Sequence, residues 1–288
     1  MPDQPDSSLN FDQSPVVPFP VPPVKPTPDN PPWKSGAAIG AWIVSVVLIV
    51  IIPGLMLAPY AISRAGEFAD TGDLVKELSS DPTAIALQIL AIIPAHLLTL
   101  GMAWLIVTAG RQYSFTETLG WRSGGMEWWH YAAIMAAFFI LAVGIGSLVP
   151  EQDNEMLRIL RSSRYVVFLV AFMAVVTAPI VEEVIYRGLL YSALQRAVGT
   201  GLAVGFVTLL FSLVHLPQYY PSVSTMVLLT LLSLTLTLIR VYTGNLLPCI
   251  ILHTIFNGLQ SILLIAEPYI KLDSTAEDAV TAFFLHLK

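Results

Sequence analysis

The sequence predicts an all-α fold, a polytopic transmembrane helical bundle of about seven to eight spans. Three observations carry that expectation. Only 12% of the 288 residues are charged while 55% are hydrophobic, whereas soluble domains carry about 25% charged residues. The apolar residues gather in repeated runs of about 20, the length at which a helix rising ~1.5 Å per residue crosses a ~30 Å hydrocarbon core. No βαβ alternation, internal repeat or glycine-rich phosphate loop competes with this reading. The net charge of −6 supplies no basic field for nucleic acid. The sole cysteine, Cys249, lies in an apolar run and is read as a small packing residue with no disulfide partner.

Residues 1–35 hold eleven of the 21 prolines. Proline removes backbone donors and fixes φ, so neither helix nor sheet propagates there. A proline-rich disordered tail is expected, with docking of a partner on a PxxP-type segment as the alternative. The tail has no basic region leading into a short apolar core, so the first span is expected to insert uncleaved. Residues 36–164 read as N-terminal transmembrane helices with interfacial loops. Their spans are 37–62, with Pro53 and Pro59 as kinks, then 84–109 and 131–149. Trp121, Trp128 and Trp129 suit the headgroup level. The stretch "EQDNEMLRILRSSR" places Met156, Leu157 and Leu160 on one face of a short interfacial helix.

Residues 165–266 form the core. A fourth span starts near Tyr165, and 201–216, 222–239 and 246–266 follow. An eighth span appears if "GLLYSALQRAV" packs separately. Residues 267–288 are too short and too charged to cross, and a peripheral helix is expected. Lysines and arginines fall on both sides of the bundle and leave its orientation open.

An ionisable group inside a span costs about 2.5–3.5 kcal/mol at the helix centre on insertion scales, so each one asks for a partner, a cavity or a function. The last four spans hold Glu182, Glu183, Arg187, His215, Arg240, His253 and Asn257. Arg240 ends its run and is expected to snorkel to the interface. Glu183 and Arg187 are four apart on one helical face and can pair. Glu182 is rotated by about 100° and is left free of the arginine. His253 and Asn257 also share a face, and Phe211 lies one turn before His215. Each residue alone is more simply a structural hydrogen-bonding group. Together they suit convergence on one site. A carboxylate beside an imidazole can take a proton from water, and a second imidazole with an amide can stabilise an oxyanion. No serine or cysteine is placed as a nucleophile. Glu182, His215 and His253 are also a possible zinc set, although no HExxH pair is present.

At these residues the chain resembles the CPBP intramembrane proteases, also called the CAAX-prenyl endopeptidase type II or Abi family. The family motif EExxxR corresponds to Glu182, Glu183 and Arg187 in "EEVIYR", FxxxH to Phe211 and His215 in "FSLVH", and HxxxN to His253 and Asn257 in "HTIFN". The resemblance covers roughly 165–266, and "FTETLGWR" is similar to an amphipathic stretch that such proteins carry before the core. It implies a multi-pass membrane endopeptidase in which Glu182 and His215 activate water and His253 and Asn257 stabilise the oxyanion. Glu183, Arg187 and Phe211 are implied as supporting residues. The family was long labelled metalloprotease; the resemblance implies a glutamate-type mechanism with no cofactor, zinc being the alternative. It also implies membrane lipid and a peptide or lipidated protein as partners, and the bacterial cytoplasmic membrane is the expected location. Two other classes use the same buried residues: a proton-coupled transporter, which lacks support from inverted repeats, and a non-catalytic scaffold or immunity protein recruiting partners through its tail.

Overall fold

The computed structural model describes residues 25–266 and Tyr269. The expectations for residues 1–24 and for a C-terminal peripheral helix lie outside the described residues. The first span is α1, Ser35–Arg64, which continues through Pro53 and Pro59. A short polar helix, α2 (Thr71–Ser80), is capped by the Asp70 carboxylate, which accepts from the Asp73 N–H. The second span is α3 (Pro82–Leu90) and α4 (Ile92–Val107), joined at Ala91. Asp81 caps α3, and Pro82 stands in the first turn, where a missing N–H costs nothing. The short α5 (Phe115–Leu119) is followed by the third span, α6 (Trp128–Leu148). Next comes the interfacial α7 (Glu155–Ser162), which buries Leu157 and Leu160 on one face.

The fourth span is one helical stretch from Arg164 to Val198, 35 residues long. It runs as α8 (Arg164–Phe172), a π-turn (Met173–Thr177), α9 (Ala178–Glu183), a second π segment (Val184–Tyr191) and α10 (Ser192–Val198). The eighth span considered from the sequence is therefore corrected: "GLLYSALQRAV" continues the fourth helix. Gly199, at φ +86°, ends it and turns the chain into α11, Thr200–Val214. Positive φ there is open to glycine at no steric cost. After a single turn, α12 (Leu216–Tyr219), the last two spans are α13 (Val223–Thr243) and α14 (Leu247–Ala266).

Six of these stretches are long and apolar enough to cross a membrane, and α11 is a shorter apolar helix of 15 residues. The outer surface matches, with Val50, Ile62, Ile140 and Leu148 all exposed. The chain is an all-α membrane bundle, with the seven apolar runs read from the sequence as helices.

The core gathers around the centre of the fourth span, where residues 183–193 are all buried. Alanines of α1 and α4 pack with Leu189, Leu190 and Tyr191 and with Val207 and Phe211 of α11. On the other side α6, α13 and α14 interlock through Phe138, Leu232, Leu236 and Phe256. The segment after α4 also seats on this core. A Cβ at Gly188 would come 3.1 Å from Leu119 Cδ2, so that glycine makes room for α5. Gly120, at φ +74°, ends α5, and its carbonyl accepts from the Leu246 N–H at 2.9 Å, fixing the start of α14.

Two sequence expectations are corrected at this end of the bundle. Within the tail read as disordered, residues 25–34 form a strap packed on the core. The buried Trp33 indole donates to the Leu189 carbonyl at 3.1 Å, and Arg196 donates to the Pro31 carbonyl at 2.7 Å. Arg240 does not snorkel. It is 1% exposed, pairs with Asp29 of the strap at 2.9 Å and donates to Ser192 Oγ at 3.2 Å. Its reading failed because the acid that receives it lies far away in the chain, where local spacing gives no sign of it.

Candidate active site

The site is assembled on α9, the second π segment, α11, α13 and α14. Arg187 is fully buried and every part of its guanidinium is occupied. Nη1 donates to Glu183 Oε1 at 2.9 Å, Nε to Thr237 Oγ1 at 3.2 Å, and Nη2 to the Ser233 carbonyl and hydroxyl, both at 2.8 Å. Its plane lies over the Phe211 ring, 4.8 Å from the centroid. The four-residue spacing of Glu183 and Arg187 thus yields the expected pair. Ser233 and Thr237, which complete the cradle from α13, carried no sequence signal beyond ordinary span residues.

His253 joins the pair from α14. Its Nδ1 lies 2.8 Å from Glu183 Oε1, and its Nε2 lies 3.8 Å from Glu182 Oε2. A carboxylate flanked by arginine is an acceptor, so Nδ1 carries the proton that faces Glu183. His253 therefore stands between the two glutamates. Glu183 is wholly buried, whereas the Glu182 side chain keeps 22% of its surface open. As the helical period predicts, Glu182 lies outside the arginine pair.

His215 follows the last residue of α11. Its Nδ1 lies 2.8 Å from the Phe211 carbonyl. A carbonyl only accepts, so Nδ1 carries the proton and, in the neutral ring, Nε2 presents a lone pair. Phe211 forms the floor between the two histidines, with ring centroids 4.8 Å from His215 and 6.2 Å from His253. Asn257 is placed differently from its expected role. Its side-chain N–H donates at 2.8 Å to the Ala174 carbonyl in the π-turn. His215 and His253 are thus brought to Phe211, with Glu182 beyond His253, while Asn257 grips the turn that precedes α9.

Two further groups escaped the sequence reading. Tyr219 of α12 stacks on His215, with centroids 6.3 Å apart. Burial, followed by the charges of Glu182 and Glu151, pushes its phenol up to about 12, so it remains a protonated donor. His96 of α4 is buried at 4% exposure. The Glu182 carboxylate is near enough for its charge to act on Tyr186, Tyr219 and His96 alike. The signal for His96 is its place in "IIPAHLLTL", an ionisable residue within an early apolar span.

No three His, Cys, Asp or Glu side chains among the described residues are grouped to hold a metal ion. Glu182, His215 and His253 do not fit zinc as placed, because the only close contact among their polar atoms is the 3.8 Å approach of His253 to Glu182.

The family described as Rce1-like type II CAAX prenyl endopeptidase matches residues 164–259, about a third of the chain. No curated protein and no solved structure matches it. The matched stretch opens at the first residue of α8 and closes just past Asn257, so it encloses both glutamates, Arg187, Phe211 and both site histidines. The core that carries these residues is similar to the Rce1-like family of type II CAAX prenyl endopeptidases.

Proposed function

We propose that this membrane protein hydrolyses a peptide bond in a membrane-associated or lipidated protein or peptide, using water activated by Glu182. One observation supports this reading above the others. Glu182 is a partly open carboxylate with no arginine partner among the described residues, 3.8 Å from His253 Nε2, and His253 and His215, which share the Phe211 ring, both have Nδ1 committed to fixed acceptors. Commitment of Nδ1 fixes the ring and aims Nε2, an arrangement suited to proton handling.

In this mechanism Glu182 takes a proton from water, with the Nε2 lone pair of His215 orienting the second O–H. The hydroxide adds to the scissile carbonyl. The oxyanion that forms accepts a hydrogen bond from His253 Nε2–H when that ring carries both protons, and Tyr219 is a second donor within the same group. The C–N bond then breaks, and Glu182 returns its proton to the leaving amine. Glu183 and Arg187 hold His253 and the helix in register. Asn257 enters as a positioning group, since its amide is bonded to the turn.

The surroundings suit a substrate that is part apolar and part polar. A groove of about 760 Å³ opens between α2, α7 and α12, lined by Asn154, Arg158, Arg161, Pro217 and Tyr220 among others. Tyr219 of the same α12 turn lies against His215. A polar stretch of substrate in the groove would therefore lie one helical turn from the site.

The test is cleavage of a prenylated CAAX peptide and its unprenylated counterpart by the full chain in nanodiscs. Glu182→Gln is expected to lower kcat by about 10²-fold or more, since it removes the base and keeps the shape. Full activity in Glu182→Gln would overturn the mechanism, and loss of activity on chelation with rescue by zinc would move it to a metal.

A further inference from the structure

His96 lies on α4, outside the matched family core and outside every motif, yet it is buried at 4% exposure in a membrane span. Placing an imidazole there is costly unless it is bonded or used. Its Nδ1 lies 2.9 Å from Thr177 Oγ1. The Thr177 hydroxyl in turn donates to the Met173 carbonyl at 3.3 Å. Thr177 has one hydroxyl proton, so the imidazole Nδ1–H is the donor to its oxygen. His96 Nε2 has no hydrogen-bond partner among the described residues.

The place of this bond matters more than its strength. Met173 to Thr177 is the π-turn, and the Met173 carbonyl also accepts from the Ala178 N–H, the bond that defines the wide turn. From α14, Asn257 donates to Ala174 within the same turn. Two polar side chains on two separate helices therefore clasp one irregular turn, and the residues that follow it are the helix carrying Glu182 and Glu183. A turn with poor intrinsic geometry is held from outside where the next turn must be aimed. The Glu182 charge also acts on His96.

We propose that His96 is a positioning residue of the active site, aiming Glu182 through its bond to Thr177. The inference rests on the peptidase reading for its kinetic consequences, and on geometry alone for its structural ones.

The experiment compares His96→Ala, His96→Asn, Thr177→Val and the His96→Ala/Thr177→Val double variant in the full chain. The Asn amide can replace Nδ1–H, and valine keeps the threonine shape. With a prenylated CAAX peptide, His96→Ala and Thr177→Val are expected to lose about tenfold or more in kcat with KM little changed. His96→Asn should recover most of the rate, and the double variant should fall no further than either single one. Undiminished kcat in His96→Ala, a loss confined to KM, or no rescue by Asn overturns the proposal.

Carboxyl footprinting by mass spectrometry reads the same geometry without a substrate. Labelling of Glu182 should change in His96→Ala and Thr177→Val but not in His96→Asn, with exposed Glu117 as the internal control. Unchanged labelling in all three overturns the proposal. Altered labelling in a chain that cleaves no peptide supports the positioning and sinks the peptidase reading instead.

Discussion

Arg187 and Glu183 have no contact with solvent, and five hydrogen bonds hold them: four from the arginine and one between Glu183 and His253. Removing one member of such a pair leaves a buried charge without compensation, at a cost of about 3–5 kcal/mol. Arg187→Ala is therefore expected to lower the melting temperature in detergent strongly and to lose activity through misfolding. Glu182→Gln should leave the melting temperature near that of the parent, since its carboxylate is not in the pair. Comparing the two melting curves separates the structural acid from the proposed catalytic one. This distinction was legible in the sequence because it is local: one residue of helix rotates a side chain by about 100°. What was not legible is the bond from His253 to Glu183, across 70 residues of chain, or the redirection of Asn257 to a backbone carbonyl. Both depend on how helices pack, which periodicity within one helix does not encode.

At the scale of elements, the spans were readable because length and apolarity are all that a lipid crossing requires. The π-turns were not, since "MAVVT" and "VIYRGLLY" have no composition that sets them apart from α-helix. They exist because neighbours take up what the wide turn leaves over: Asn257 bonds Ala174, and Trp33 bonds Leu189. The junction of α2 and α3 is simpler. Burial is the largest influence on the Asp81 carboxyl and raises its pKa. Hydrogen bonds from Tyr60 and the Thr83 N–H, with the Arg64 charge, outweigh it and hold the group below the usual carboxylate range. A carboxyl depressed in the folded state stabilises above its unfolded value and loses that contribution as pH falls through the lowered one. Thermal stability should thus be flat above about pH 4 and decline on acidification, and Asp81→Asn should show a lower plateau with a weaker acid response. Melting curves between pH 3 and pH 6 check this.

Across the whole molecule, the strap of residues 25–34 ties α1 to the far ends of the fourth span and of α13. The buried Trp33 and the Asp29–Arg240 pair are its anchors. Replacing Trp33 by alanine removes a buried aromatic side chain, a change that costs about 3–5 kcal/mol in well-packed sites. Trp33→Ala is expected to lower the melting temperature much more than Asp29→Asn, whose carboxylate is 60% exposed and so screened by water. The proline count made this strap look like part of a tail, because proline density reports only that helix and sheet are excluded. It does not report whether an extended segment has a surface to lie on.

The strap also has a consequence for biosynthesis. Its residues leave the ribosome before any described span, yet their partners are Leu189, Arg196 and Arg240, and the tryptophan contact alone bridges 156 positions. Trp33 must therefore wait, unsatisfied, until the fourth span is in place, and Asp29 must wait for Arg240 on α13. The clasp shuts only once α13 is in place, so a segment made ahead of every described span is among the last to dock.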